Sequence, residues 1–344
     1  MMRLPRFEYR SPRTVAEAAA WLAEAPGETL LVAGGTDLLP NMKRRQQTPR
    51  VLVGLRGIDE LRRLDVNGAV RLGAGVTLTE LVRHEGVRAR LPGLWQAAAQ
   101  VATPHLRNMG TLGGNLCLDT RCTYYDQGYE WRKAIDFCLK KDGRTCWVAT
   151  SSPTCLAVSS SDTAPMLQAL GTRVRLVSAV GERWIDVAEL YANDGMHYLT
   201  RRPDELLAEV EVPADAAWRS TYWKLRRRGA FDFPVLSVAA AAQVAADGTV
   251  TAARVVLGAV ASRPMVAPKA GAALVGRALS DAAIAEAAEG AYEVAKPMDN
   301  TDFDLVWRKR MTRALAGYAL RELRGDDMRE TRRKLSRQAL TVLS

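Results

Sequence analysis

All five cysteines of the chain, Cys117, Cys122, Cys138, Cys146 and Cys155, fall in one stretch, and the rest of its 344 residues contain none. Thiols used only as small core residues would be scattered. Thiols gathered in one segment point instead to metal binding or redox chemistry, since structural disulfides do not persist in a reducing compartment. Between Cys117 and Cys155 aromatic, charged and cysteine residues mix without the period of a helix or a strand. A loop is therefore expected here, inserted into an otherwise regular fold and organised around something other than a core.

The spacing is Cys122-x15-Cys138-x7-Cys146-x8-Cys155, with Cys117 left over. Four thiolates suit an iron–sulfur cluster or an all-cysteine zinc site. Zinc usually takes close cysteine pairs, and no histidine lies between His105 and His197 to complete a mixed site. The run is also wider than that of a ferredoxin. Pattern alone leaves cluster, zinc and uncoordinated buried thiols open.

Composition narrows the frame. With 48% hydrophobic and 25% charged residues the chain is of ordinary globular composition, long enough for two or three domains. It has no apolar run long enough to span a bilayer, and its start, MMRLPRFEYRSPRT, has no apolar signal region. A cytoplasmic protein with no membrane partner is expected. The net charge of +10 favours anionic partners. The densest basic clusters, Lys43-Arg44-Arg45 and Arg226-Arg227-Arg228, are short and not interleaved with aromatics, so no nucleic-acid partner is expected.

Along the chain, a first unit (1–60) opens on Thr14-Val15-Ala16-Glu17, the pattern of a capping box, before a helix. Strand Thr29 to Ala33, helix Leu38 to Arg45 and strand Val51 to Leu55 follow. A second unit (61–218) holds strand Val70 to Val76, a second capping box at Thr77-Leu78-Thr79-Glu80, helix Leu94 to Ala102 and the insert (117–158). Helix Met166 to Leu170, strand Arg173 to Val177 and an edge strand Leu206 to Val212 complete it. A third unit (219–325) reads as strands Thr221 to Leu225, Val235 to Val244 and Val250 to Val260, then helices Ser280 to Ala295 and Asp304 to Leu323. Asp247-Gly248 marks a hairpin between the last two strands. The charged tail (326–344) is expected to be loosely held.

Two glycine turns carry a second chemical signal. Gly34-Gly35-Thr36-Asp37 lies after a strand and before a helix, where unpaired amides face an anion and the missing Cβ lets a diphosphate approach. Thr111-Leu112-Gly113-Gly114-Asn115 has the same permissive backbone with a hydroxyl and an amide added. Neither is a G-x-G-x-x-G fingerprint. Two such turns on separate units suggest a dinucleotide laid in the crevice between them.

These segments carry a family resemblance. LVAGGTDLLPNMK (Leu31 to Lys43), ATPHLRNMGTLGGNL (Ala102 to Leu116) and SDTAPMLQALG (Ser161 to Gly171) resemble the flavin subunit of the xanthine dehydrogenase family of molybdenum hydroxylases. YWKLRRRGAFDFP (Tyr222 to Pro234) and RVVLGAVASRPMVA (Arg254 to Ala267) resemble its C-terminal domain, so the likeness runs through nearly the whole chain in the right order. Most members pass almost directly from the G-G-N turn to the S-D segment. The cysteine insert is similar instead to that of the β subunits of 4-hydroxybenzoyl-CoA reductases, where such a loop holds a [4Fe–4S] cluster beside the flavin.

The resemblance implies an α+β fold: two FAD-binding subdomains followed by a C-terminal α+β domain with a three-stranded sheet and helices. It implies FAD held by Leu31, Val32, Ala33, Gly34, Gly35, Thr36 and Asp37 and by Thr111, Leu112, Gly113, Gly114 and Asn115. Asp162 would bond the ribose–adenine end, or cap the helix that follows it, and Lys224 would lie beside the isoalloxazine. Cys122, Cys138, Cys146 and Cys155 would ligate the cluster, with Cys117 a small buried thiol. No residue of this chain is implied to be catalytic. Implied partners are a molybdenum-cofactor large subunit and a [2Fe–2S] small subunit in a dimerised heterotrimer, with reduced ferredoxin as donor. Electrons would pass through the cluster and FAD to the partner centres for reductive dehydroxylation of a 4-hydroxybenzoyl-CoA-type substrate. Two rivals are a flavin subunit of an oxidative aldehyde, CO or xanthine dehydrogenase with a structural metal loop, and a basic nucleotide-binding module with a zinc loop.

Overall fold

The computed structural model describes residues 3–213, 218–229 and 231–338. The first unit is a three-stranded parallel sheet in the order β1-β3-β2, built from β1 (Glu8–Arg10), β2 (Thr29–Val32) and β3 (Val51–Gly54) with α1 (Val15–Glu24) and α2 (Leu38–Lys43). The Thr14 hydroxyl accepts from the Glu17 amide at 3.1 Å, but the Glu17 carboxylate accepts from the Arg13 amide, so only half of the expected capping box forms. Val15, Ala18, Ala19 and Leu22 recur at helical spacing and are buried against Val53, Leu206 and Ala208. The first unit is thus cemented to the second. Helix α2 stops at Lys43, ahead of Arg45, whose φ of 61° leaves the helical region.

The second unit has a five-stranded sheet of order β4-β5-β8-β6-β7, from β4 (Leu64–Asp65), β5 (Val70–Gly73), β6 (Arg173–Ser178), β7 (Gly181–Asp186) and β8 (Leu206–Val212). Its helices are α3 (Leu78–Arg83), α4 (Glu85–Arg90), α5 (Pro92–Ala99), α6 (Pro104–Arg107), α7 (Leu112–Leu116), α8 (Tyr129–Ala134) and α9 (Thr163–Leu170). The capping box at Thr77 and Glu80 is complete. Strand β8, expected at an edge, is central. Leu206, Leu207 and Ala208 are consecutive and all buried, because α1 covers one face of β8 while the helices cover the other.

The C-terminal unit carries a four-stranded antiparallel sheet, not three, of order β12-β11-β10-β9: β9 (Arg219–Leu225), β10 (Leu236–Val244), β11 (Val250–Gly258) and β12 (Met265–Val266). The added strand has two residues, too few for a periodic signal. The Asp247-Gly248 hairpin forms, with Gly248 at φ 88°. The near-continuous apolar run of β10 follows from burial on both faces. Tyr222, Ala239, Ala241 and Val256 face the second unit, while Trp223, Val238, Ala240 and Leu257 face the long helices. Those helices are α10 (Pro268–Ala272), α11 (Asp281–Val294), α12 (Leu305–Arg324) and α13 (Arg329–Gln338).

The tail is not loose as far as it is described. Arg332 of α13 lies over the Trp223 ring and donates to Glu322 Oε2 at 2.6 Å, which docks the helix. Residues 339–344 of the expected tail lie outside the described residues. No described helix is long and apolar enough to cross a membrane.

Candidate functional site

A cleft of about 340 Å³ opens where the units meet, lined by Leu31, Val32, Ala33, Gly34, Gly35, Thr36 and Asp37 of the first glycine turn and by Thr111, Gly113, Gly114 and Asn115 of the second. The turns touch: a Cβ on Gly34 would land on the Met109 carbonyl oxygen, just before the second turn. Gly113 is equally obligatory, since its Cβ would lie 2.6 Å from that of Ala74. Gly35 adopts φ 70°, the left-handed conformation that swings the chain into α2.

The two turns differ chemically. Among the described residues no backbone carbonyl takes the amides of Gly35, Thr36 and Asp37. They are available to an anion in the manner of a helix start. In the second turn the amides are spent: Leu112 donates to Val76, Gly113 to Ala74, and Gly114 to the Thr111 hydroxyl. Asn115 Oδ1 is likewise spent, accepting from Ser161, the Thr163 amide and the Thr163 hydroxyl. This turn supplies mainly shape, with the Asn115 Nδ2 amide left without a partner in the described protein, and Leu112 is buried in the core away from the cleft.

Asp162 lines the cleft and makes no helix cap; the Ser161 hydroxyl accepts from the Ala164 amide instead. The Asp162 carboxylate accepts from Lys224 Nζ at 2.9 Å and Tyr222 Oη at 2.7 Å. Tyr222 and Lys224 alternate on β9, so both reach the same partner. Burial pushes the Asp162 carboxyl up and the Lys224 ammonium down, each opposed by the other's charge. Neighbouring Ser160 is 2% exposed, lines the cleft, and has no partner for its hydroxyl in the described protein. An orphaned hydroxyl and three free amides in one cleft are the polar groups a dinucleotide would satisfy.

The cysteine insert is pinched at its neck by Arg121 and Val158, which exchange backbone hydrogen bonds of 2.7 and 2.8 Å. Cys122, Cys138 and Cys155 pack into one buried cluster with Tyr125 and Ala157, and Cys146 is buried too. Burial pushes the Cys122 thiol up to about 12 and that of Cys155 to about 11. Backbone amides aim at these sulfurs, Ala157 N to Cys155 Sγ at 3.4 Å among them. No three described His, Cys, Asp or Glu side chains converge to share a single ion. Cys117 stands apart from the other four, on the wall of the cleft.

Residues that no motif marked join the two places. Arg121 pairs with Asp37 of the first turn and with Asp126 of the insert, and stacks 4.2 Å over Phe233, which also lines the cleft. Burial raises the Asp37 carboxyl against the pull of that guanidinium. Asp119 lines the cleft and accepts from Tyr125 Oη at 3.0 Å and Lys140 Nζ at 2.8 Å.

Residues 5–215 match the family described as the FAD binding domain in molybdopterin dehydrogenase. The chain belongs to the FAD-binding subunits of the molybdenum hydroxylase family. Residues 220–323 match the CO dehydrogenase flavoprotein C-terminal domain. The aldehyde oxidoreductase FAD-binding subunit PaoB of Escherichia coli K12 is 33% identical over 88% of this chain and 95% of its own length. The CO dehydrogenase medium chain of Afipia carboxidovorans is 27% identical over 92% and 94%. Among solved structures, CO dehydrogenase from Hydrogenophaga pseudoflava superposes with a TM-score of 0.75 at 28% identity, covering 93% of this chain and 97% of that one. As a FAD-binding member of this family the chain is an oxidoreductase subunit.

Proposed function

We propose that this chain is the electron-transfer subunit of a molybdenum hydroxylase complex, carrying FAD in the cleft and a [4Fe–4S] cluster in the cysteine loop. The observation that carries the reading is the shared wall: Asp119 lines the cleft and is bonded to Tyr125, which packs among the cysteines. The free amides of Gly35, Thr36 and Asp37 would meet the FAD diphosphate, and Ser160 and Asn115 would face its remaining polar atoms. Asp162 would face the flavin from the cleft wall, with Lys224 paired to it from behind. Cys122, Cys138, Cys146 and Cys155 would each hold one iron, so their sulfurs need not converge on one point. FAD supplies a carrier that takes two electrons and releases them singly, and the cluster supplies a one-electron relay.

Two directions of flow follow from two observations. The likeness to an aldehyde oxidoreductase subunit along 95% of that protein supports oxidation of an aldehyde by a molybdenum-bearing large subunit, with a [2Fe–2S] small subunit between. The cysteine insert supports the reverse flow, from reduced ferredoxin toward a 4-hydroxybenzoyl-CoA-type substrate, since aromatic dehydroxylation needs an entry point for low-potential electrons. Anaerobic purification of the intact complex, with flavin, iron and acid-labile sulfide counted and the clusters followed by EPR, tests the cofactor reading. One flavin and about four irons beyond those of the small subunit are expected; flavin with no such iron overturns it. Turnover of aromatic aldehydes with an artificial acceptor, against 4-hydroxybenzoyl-CoA with a low-potential donor, decides the direction.

A further inference from the structure

Lys140 lies in the insert, two residues after Cys138, yet its side chain is only 6% exposed. All three of its N–H donors are taken, by partners on two separate parts of the loop's frame. Asp119 Oδ1 accepts at 2.8 Å and Thr120 Oγ1 at 2.6 Å, both on the strand of chain that leads into Cys122. The Gly195 carbonyl accepts at 2.6 Å, and the Gly195 amide donates in turn to the Cys155 carbonyl at 2.8 Å. The Cys146 arm is tied in next door, where the Leu139 amide donates to the Thr145 carbonyl at 2.8 Å. The ammonium also lies over the rings of Tyr125, at 4.8 Å, and Tyr198, at 5.2 Å. One side chain therefore links the Cys138 arm to the segment leading into Cys122 and, through Gly195, to Cys155, and holds a cation against Asp119, Tyr125 and Tyr198.

A surface lysine would have served solubility. A buried lysine with every donor spent costs desolvation, and such a group is retained where its charge or its geometry is used. A [4Fe–4S] centre with four thiolates is an anion that gains a further negative charge on reduction, so a fixed buried cation favours its reduced form. Asp119 moderates that charge without removing it from the loop.

We propose that Lys140 is the positioning residue of the cysteine loop and that its charge sets how readily the cluster accepts an electron. This rests on the cluster reading given above, and the experiment separates the two. In the intact complex, wild type, Lys140→Met, Asp119→Asn and the double variant are compared by iron content, flavin content and EPR-monitored redox titration. At the potential where the wild-type cluster is half reduced, Lys140→Met is expected to show at least a tenfold lower ratio of reduced to oxidised cluster, about 59 mV for one electron. Flavin content stays at the wild-type ratio. Asp119→Asn moves the ratio the other way, and the double variant returns it toward wild type, which a purely mechanical role would not produce. If Lys140→Met keeps flavin but assembles no iron, the positioning role is upheld, and Asp119→Asn alone then tests the charge. Full iron with an unchanged titration in both single variants overturns the proposal. A wild-type complex without the extra iron overturns the cluster reading instead.

Discussion

Lys224 Nζ and Asp162 Oδ2 stand 2.9 Å apart with side chains 0% and 4% exposed, and their pairing fastens the C-terminal sheet to the segment that walls the cleft. A buried pair of this kind is costly to break from one side, because the survivor is left as an uncompensated charge. Lys224→Met is expected to destabilise the chain by about 3–5 kcal/mol in urea unfolding, and a Lys224→Met/Asp162→Asn double variant by less than the sum of the singles. Additive losses in the cycle would show that the two residues do not act as a pair.

Gly34→Ala puts a methyl group on the Met109 carbonyl, at the contact between the two turns. Backbone cannot yield there as a flexible side chain could, so the turns must part. We expect purified protein with native far-UV dichroism and a flavin-to-protein ratio at least tenfold below wild type, read by absorbance. Wild-type flavin retention would mean that the turns do not jointly shape the site.

Much of this was legible in the sequence because the signals were local. The Thr77 capping box, the Asp247-Gly248 hairpin and the two glycine turns depend on neighbours within a few residues. The central place of β8 was not legible, since alternation reports which faces are buried but not which strands lie alongside. The role of Asp162 as partner of Lys224 and Tyr222, and the frame of Arg121, Asp119 and Lys140, needed the fold. Asp37 and Arg121 are 84 positions apart, and Lys140 and Gly195 are 55 apart. No pattern in one chain announces such pairs. The docking of α13 is not legible either, because an Arg-rich segment reads as solvated until Glu322 and Trp223 are seen beneath it.

Cys117 and the other four cysteines are expected to part company on substitution. Cys138→Ala or Cys146→Ala should lower iron by the whole of the proposed cluster while leaving FAD bound, because the glycine turns lie outside the neck closed by Arg121 and Val158. Cys117→Ala, on the cleft wall, should leave iron unchanged. Iron and flavin analysis on the same preparations checks both, and iron loss in Cys117→Ala would redraw the ligand set.

The seat of α13 should depend on pH through Glu322. Burial alone would raise this carboxyl, but Arg332, Thr221 and the Trp223 indole donate to it and hold it below the ordinary value of 4.5. A carboxyl whose pKa is depressed on folding stabilises the folded form above its unfolded pKa, and that stabilisation fades as pH falls through the folded value. Docking of α13 is therefore expected to be complete at neutral pH and to weaken below about 4.5. Hydrogen exchange of 329–338 against pH reads it directly. Glu322→Gln keeps the size and loses the charge, so it should show the acid-state exchange already at pH 7. Protection that stays flat through the acid range in the wild type would show that the Trp223 stacking of Arg332, and not the Glu322 charge, holds the helix.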